Sequence, residues 1–312
     1  MKKITVFGGG TGMSTLLRGL KEFPVDLRAV VSVCDDGRST GKLRKEFNLP
    51  AMGDIRKVMT SLATTEPLME KILEYRFDTC SDLNEHTVGN LLLTAGAKTT
   101  GNLSEGISAI SKVLNLKGKV IPFSEDNITL VAEMIDGSII EGESEITKNP
   151  LQIKKVYYKN EPKVCSDVLD SIKESDLIIF SMGSLYTSII PNLLSREVIN
   201  EIDRSNAKIL YVCNMMSQPG ETDNYKVSDH INTINSYLNN RKIDAVIANN
   251  GNIDKDIAIK YSTEEQKDPI LLDEDNIKCE LIKGDYTSID DGVIRHNVIK
   301  VSLAIFSYLL DN

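Results

Sequence analysis

A short apolar run, Ile4-Thr5-Val6-Phe7, gives way at once to Gly8-Gly9-Gly10-Thr11-Gly12. Leu16, Leu17, Leu20 and Phe23 follow at helical spacing, and then a second apolar run, Leu27–Cys34. Strand, glycine turn, helix and strand in such quick succession open a doubly wound sheet, because parallel neighbours need a crossover between them. No other feature constrains the fold as strongly. Asp176–Ser181, Ala207–Cys213 and Ile243–Ala248 repeat its character: short runs, apolar on both faces, as buried parallel strands are.

The intervening segments fill in the other layers. Periodicity predicts helices over Ile55–Ala63, Pro67–Phe77, Thr87–Ala97 and Ser104–Leu114, with Gly101 separating the last two. Further helices are predicted over Ile189–Asp203, Val227–Asn239, Ile253–Tyr261 and Val298–Leu310. Lys119–Tyr158 turns β-like, with Asp136-Gly137 as a hairpin signal. The expected fold is a Rossmann-like three-layer α/β/α unit with a mostly parallel sheet. It forms one domain over 1–312, with a small antiparallel excursion at about 119–160.

Charge and cysteine usage remove several classes of function. Of 312 residues, 36 are Lys or Arg and 45 are Asp or Glu, a formal charge of −9 that argues against nucleic-acid binding. No run approaches the ~18 apolar residues of a membrane span. The apolar stretch after Lys2-Lys3 is too short for a secretory signal. Cys34, Cys80, Cys165, Cys213 and Cys279 are scattered without a CxxC pair, so neither a zinc site nor a disulfide framework is expected. A reducing, cytoplasmic setting is expected.

Each predicted parallel strand ends in small and polar residues: Gly8–Gly12, Asp35–Ser39, Met182–Ser188, Asn214–Thr222 and Asn249–Asn252. Ligands of open α/β sheets bind outside the carboxyl ends of the strands, so these loops should line one crevice. Turns favour the same residue types, and one such loop alone would mean little. In the first loop, glycines let backbone approach a phosphate at a helix N-terminus. The loop lacks the lysine of a P-loop. As a dinucleotide fingerprint, Gly10-x-Gly12-x-x-Thr15 departs at its third position, yet an acid stands about twenty residues on, as NAD-type binding requires.

Asp35 and Asp36 admit a ribose contact, a Mg²⁺ site or a general base, against an ordinary Asp turn. Arg38 and Ser39 beside them favour a phosphate. Asp54 is read as an N-cap, and Arg56 and Lys57 stand where a helix start disfavours cations unless an anion binds there. His86, His230 and His296 have no metal-ligand spacing. His86 is expected at a helix start, His230 on a helix surface, and Arg295 is a better anion partner than His296.

Taken together, GGGTG (Gly8–Gly12), SVCDDGRSTGKLR (Ser32–Arg44), MGDIRK (Met52–Lys57), HTVGNLLL (His86–Leu93), MGSLYTSIIPNLL (Met182–Leu194) and NMMSQPGETDNY (Asn214–Tyr225) resemble the YvcK/CofD-like family across nearly the whole chain. The resemblance is closer to the YvcK branch, once called gluconeogenesis factors, than to the phospholactate transferases. It implies a cytoplasmic, self-associating protein that binds UDP-sugars such as UDP-N-acetylglucosamine. It also implies roles in cell shape, cell-wall synthesis and gluconeogenic growth, through a protein partner. Carried over by position, Gly9, Gly10, Thr11 and Gly12 face the nucleotide. Asp35 and Asp36 match the acidic loop at the reacting centre of the transferases, which use Mg²⁺. Asn90, Gly183, Ser184, Tyr186, Asn214, Gln218 and Glu221 fall in family motifs that line the pocket.

Two functions follow: a UDP-sugar-binding regulator that needs no cofactor, or a phospholactate-type transferase in which Asp35 or Asp36 acts with Mg²⁺. Aromatic residues are 5% of the chain, with no Trp, which weighs mildly against a pocket built to stack a deazaflavin. An NAD-dependent oxidoreductase is the third reading.

Overall fold

The computed structural model describes residues 1–253, 255–290 and 293–312. Its strands are β1 Lys2–Gly8, β2 Val25–Val31, β3 Lys119–Pro122, β4 Leu130–Met134, β5 Ile139–Glu141, β6 Ile153–Tyr158, β7 Leu177–Phe180, β8 Lys208–Val212, β9 Ala245–Asn249, β10 Glu280–Gly284, β11 Thr287–Asp290 and β12 Val293–His296. Its helices are α1 Gly10–Leu20, α2 Arg38–Phe47, α3 Gly53–Leu62, α4 Pro67–Glu74, α5 Val88–Thr100, α6 Leu103–Val113, α7 Glu143–Lys148, α8 Ser166–Glu174, α9 Arg196–Arg204, α10 Val227–Tyr237, α11 Lys255–Glu264 and α12 Val298–Asp311.

Seven strands form the main sheet in the order β10-β9-β8-β7-β1-β2-β3, and every pair in it is parallel. Helices flank it, as expected of the Rossmann-like class. Chain order reverses between β1 and β7, which places the topological switch point there. Ile4, Val6, Phe7 and all four residues of β7 are buried, so both faces of the central strands are covered. The buried Thr5 donates its hydroxyl to the Ser171 carbonyl of α8 (3.1 Å), fixing which helix covers that face. Its neighbours Ile4 and Val6 point to the opposite face. Helix α1 packs against α3 and α12, and Gly19 permits the second contact: a Cβ there would overlap Ser302 and Val298.

The antiparallel excursion is the three-stranded sheet β5-β4-β6, with Asp136-Gly137 in the β4–β5 turn and Gly137 at φ +85°. It is smaller than the sequence suggests. Residues 119–122 belong to the main sheet, where β3 runs parallel to β2, and α7 interrupts the stretch predicted as strand. Further elements were not anticipated: α2, in a segment expected to be loop, α8 before β7, and the edge strand β10 with the β11–β12 hairpin behind it. Residue 254, at the start of the helix expected over 253–261, lies outside the described residues.

Candidate ligand crevice

At the switch point the loops after β1 and β7 touch through their backbones. A Cβ on Gly12 would overlap the carbonyl of Met182, so only glycine permits this approach. Gly9 precedes α1 in extended backbone, and the first turn holds no acidic residue of its own, but the buried Asp54 carboxylate of α3 accepts from the Gly10 N–H. The N–H groups beyond Gly10 and the helix dipole are the features here that suit an anion.

A crevice of about 690 Å³ opens over this junction. Gly9, Gly10, Thr11, Gly12, Gly183, Ser184, Asn214, Gln218 and Arg295 line it. Asn214 ties its two banks together: Oδ1 accepts from the Gly183 N–H (2.8 Å) and Nδ2 donates to the Gly183 carbonyl (2.6 Å). Arg295, on β12, is exposed at the rim. Thr15, Thr147, Ser188, Tyr261, Lys267 and His296 also line the crevice and were not singled out as site residues. Three had a signal: His296 in its adjacency to Arg295, Ser188 in the Met182–Ser188 loop, and Thr15 at the third fingerprint position. The His296 Nε2 pairs with the Cys213 carbonyl (3.0 Å), and burial pushes its pKa down to about 4. Tyr261 accepts from the Ile294 N–H (2.9 Å), which fastens β12 to α11.

Three expected residues stand behind the lining. Asp54 sits in the first turn of α3, where Met52 is the N-cap, so it is not itself the cap. Burial pushes its carboxyl pKa up, against Lys57 and the Gly10 backbone N–H, and a Cβ on Gly9 would lie 2.6 Å from its Oδ2. Tyr186 is buried and shares a hydrogen bond with Tyr225 (2.9 Å between hydroxyls). Glu221 is buried and reaches the crevice through Ser184 and Gln218.

The remaining residues are engaged elsewhere. Ser39, Asn90 and Arg56 form a buried polar chain beneath the start of α5. The Ser39 hydroxyl pairs with His86 Nδ1 (3.0 Å), Asn90 Nδ2 donates to Ser39 (3.2 Å), and Arg56 Nε donates to Asn90 Oδ1 (3.1 Å). Arg56 also forms an ion pair with Glu74. Its charge at a helix start is answered by protein groups, and it does not line the crevice. Arg38 is exposed at the N-terminus of α2, also outside the lining. His230 corrects an expectation: it is fully buried, its Nδ1 meets the Tyr211 hydroxyl at 3.0 Å, and burial pushes its pKa down to about 4.

Asp35 and Asp36 lie at the end of β2 and do not line the crevice. Asp35 Oδ1 accepts from the Gly37 N–H (2.9 Å). Asp36 Oδ1 accepts from both the N–H (2.8 Å) and the hydroxyl (2.6 Å) of Ser144 in α7. That contact fastens α7 to the loop after β2. On the other side the Ile153 N–H donates to the Gly220 carbonyl (3.1 Å), so the excursion bridges the loops after β2 and β8. Burial, and then the charges of Asp35, Asp54 and Asp36, push the Glu143 pKa up to about 8. Among the described residues, no group of three or more His, Cys, Asp or Glu side chains is arranged to hold a metal ion.

The fold defines a doubly wound α/β protein with a crevice at its topological switch point. The family model for 2-phospho-L-lactate transferase CofD matches residues 4–287, and the chain belongs to that CofD family. It is 43% identical over 308 residues to the gluconeogenesis factor of Halalkalibacterium halodurans, covering 97% of this chain and 95% of that one. It is 42% identical over 311 residues to the gluconeogenesis factor of Bacillus subtilis, covering 98% of each. A crystal structure of a UPF0052 family member from Bacillus halodurans superposes with a TM-score of 0.94 at 42% identity, covering 98% of this chain and all of that one. No helix among the described residues is long and apolar enough to cross a membrane.

Proposed function

We propose that this protein is a nucleotide-sugar-binding regulator that takes a UDP-sugar such as UDP-N-acetylglucosamine into the crevice. One observation carries the reading: the glycine loop at the start of α1 and the exposed Arg295 flank one crevice. Together they supply backbone donors and a guanidinium for a diphosphate, while the loops after β7 and β8 supply neutral side chains for a sugar or base. The name shared by the relatives supports a link to gluconeogenic growth. Roles in cell shape and cell-wall synthesis, through a protein partner and in a self-associated form, extend that link. The compartment proposed is the cytoplasm, and binding requires no cofactor.

Binding is favoured over catalysis because Asp36 is engaged by two hydrogen bonds from Ser144 rather than turned toward the crevice. Calorimetry with UDP-N-acetylglucosamine, UDP and NAD, with mass spectrometry of ligand released from the purified protein, tests the reading. Absence of heat with any nucleotide sugar at millimolar concentration overturns it, and a preference for NAD replaces it with the dinucleotide reading. The family description supports a second reading, a phospholactate-type transferase. Turnover of a nucleotide-activated phospholactyl donor with a deazaflavin acceptor, lost in Asp36→Ala, would establish that activity.

A further inference from the structure

Glu221 is almost completely buried, and it makes no ion pair among the described residues. Its partners are donors. The Ser184 hydroxyl lies 2.7 and 2.5 Å from its two oxygens, the Tyr186 backbone N–H is at 3.1 Å, and the Thr187 hydroxyl is at 3.4 Å. Gln218 Nε2 completes the set at 2.8 Å from Oε1. Burial pushes the Glu221 pKa up, but the Ser184 and Thr187 hydroxyls and the Tyr186 N–H hold its charged form; as a carboxylate it accepts only, and the Gln218 amide turns its nitrogen inward.

The turn that carries Gln218 is itself fixed. Its carbonyl accepts from the N–H groups of Glu221 (3.0 Å) and Thr222 (2.9 Å), and its own N–H donates to the Thr222 hydroxyl (2.9 Å). Gln218 lines the crevice, and no described protein group donates to its Oε1. Asn214 differs, since both ends of its amide are engaged by Gly183.

We infer that Glu221 is a positioning residue: it holds the side-chain nitrogen of Gln218 and so presents the Gln218 carbonyl oxygen to the crevice as an acceptor for a ligand O–H or N–H. The ligand class rests on the nucleotide-sugar reading, and the inference narrows it. The group lying against the loops after β7 and β8 is a hydrogen-bond donor: a sugar hydroxyl, an acetamido N–H or the imide N–H of a base. A phosphate there would face a carbonyl oxygen with a carboxylate behind it, and like charges repel. The phosphates therefore lie away from the loops after β7 and β8, toward the rim cation Arg295.

The test uses the full chain, UDP-N-acetylglucosamine and three variants: Gln218→Met, Glu221→Gln and the double. Gln218→Met keeps the shape and removes the acceptor, and affinity is expected to fall about tenfold, as for one lost hydrogen bond. Glu221→Gln gives the neighbour an amide that can donate to Gln218 Oε1, which lets the Gln218 side chain reverse. Its affinity is expected to fall similarly although Gln218 is intact, and the double variant should bind no more weakly than Gln218→Met. Independent structural damage would make the losses additive.

In the free protein, the side-chain NH₂ resonance of Gln218, assigned by its absence in Gln218→Met, should be protected from exchange and lose that protection in Glu221→Gln. Unchanged affinity in Gln218→Met, additive losses or a freely exchanging Gln218 amide each overturn the inference. Should Glu221→Gln fail to fold, Gln218→Met and the wild-type exchange measurement still decide it. Absence of binding by the wild type overturns the recognition half together with the reading beneath it, while the exchange data decide the orientation separately.

Discussion

Gly12 and Met182 meet backbone to backbone across the switch point, with no room between them for a single methyl group. Neither side of that contact is a flexible side chain, so relief requires moving a strand end or the start of α1. Gly12→Ala is expected to lose about 1–3 kcal/mol of stability, the usual range for overpacking. Ligand affinity should fall with it, because the α1 N–H groups would shift. Urea unfolding and calorimetry on the same preparation check both effects, and an unperturbed protein would show that the loops are not tightly joined.

Arg56 is buried and paired with Glu74 and Asn90, whereas Glu74 is half exposed. Removing the guanidinium strands Asn90 in a buried site, while Glu74 regains water. Arg56→Met is expected to lower stability by about 1–3 kcal/mol and to leave nucleotide affinity within about twofold, below the tenfold of one good hydrogen bond. Equilibrium unfolding and calorimetry separate the two effects. A large affinity loss in a fully stable variant would restore Arg56 to the site.

Arg295 gives the opposite pattern. Exposed on the crevice rim, it contributes little to packing. Arg295→Ala should unfold at the wild-type denaturant midpoint and bind a UDP-sugar about tenfold more weakly, as expected for a charge-assisted contact to phosphate. Added salt should narrow that difference, since exposed charges are screened. Affinity measured at two ionic strengths distinguishes this from a loss of shape.

His230 and Glu143 impose opposite pH slopes. The buried His230 has its pKa pushed from 6.5 to about 4, so the unfolded chain takes up a proton first as the solution becomes acidic. Its contribution is fully present above pH 6.5 and is lost as pH falls toward 4, amounting to about 3 kcal/mol at the limit. Glu143 has its pKa pushed from 4.5 to about 8, so the folded state retains a proton that the unfolded chain has released. Stability from that group falls as pH rises through the window. Unfolding measured from pH 5 to pH 8 should show His230→Gln losing the first slope. Glu143→Gln should gain on the wild type as pH rises. Parallel curves for all three proteins would contradict both assignments.

The strand-and-loop order was legible because buried parallel strands are continuously apolar and their ends are not. Helix α2 was missed because Gly37-Arg38-Ser39-Thr40-Gly41 has the composition of a turn. Its helical character comes from the burial of Ser39, Thr40, Leu43 and Arg44, which is tertiary information. Strand β10 carries charge at Glu280 and Lys283, as an edge strand can, and so lacks the apolar signature of its neighbours. His230 looked like a surface residue because nothing in its own helix reveals that Tyr211 and Tyr225 surround it. Neighbourhood to Asp35–Asp36 placed Ser39 at the ligand, a cation at a helix start placed Arg56 there, and motif resemblance placed Asn90, because chemistry alone could not separate a phosphate site from a buried network using the same groups. Tyr261 and Lys267 reach the crevice through the return of a distant segment, which no local spacing encodes.

The Ser144–Asp36 and Ile153–Gly220 hydrogen bonds make α7 and β6 a tie-bar between the loop after β2 and the loop after β8. Only the second of those loops lines the crevice, and Thr147 of α7 lines it too. The tie therefore joins one wall of the crevice to the acidic loop that stands outside it, and α7 carries the exposed Glu145–Lys148 pair on its solvent side.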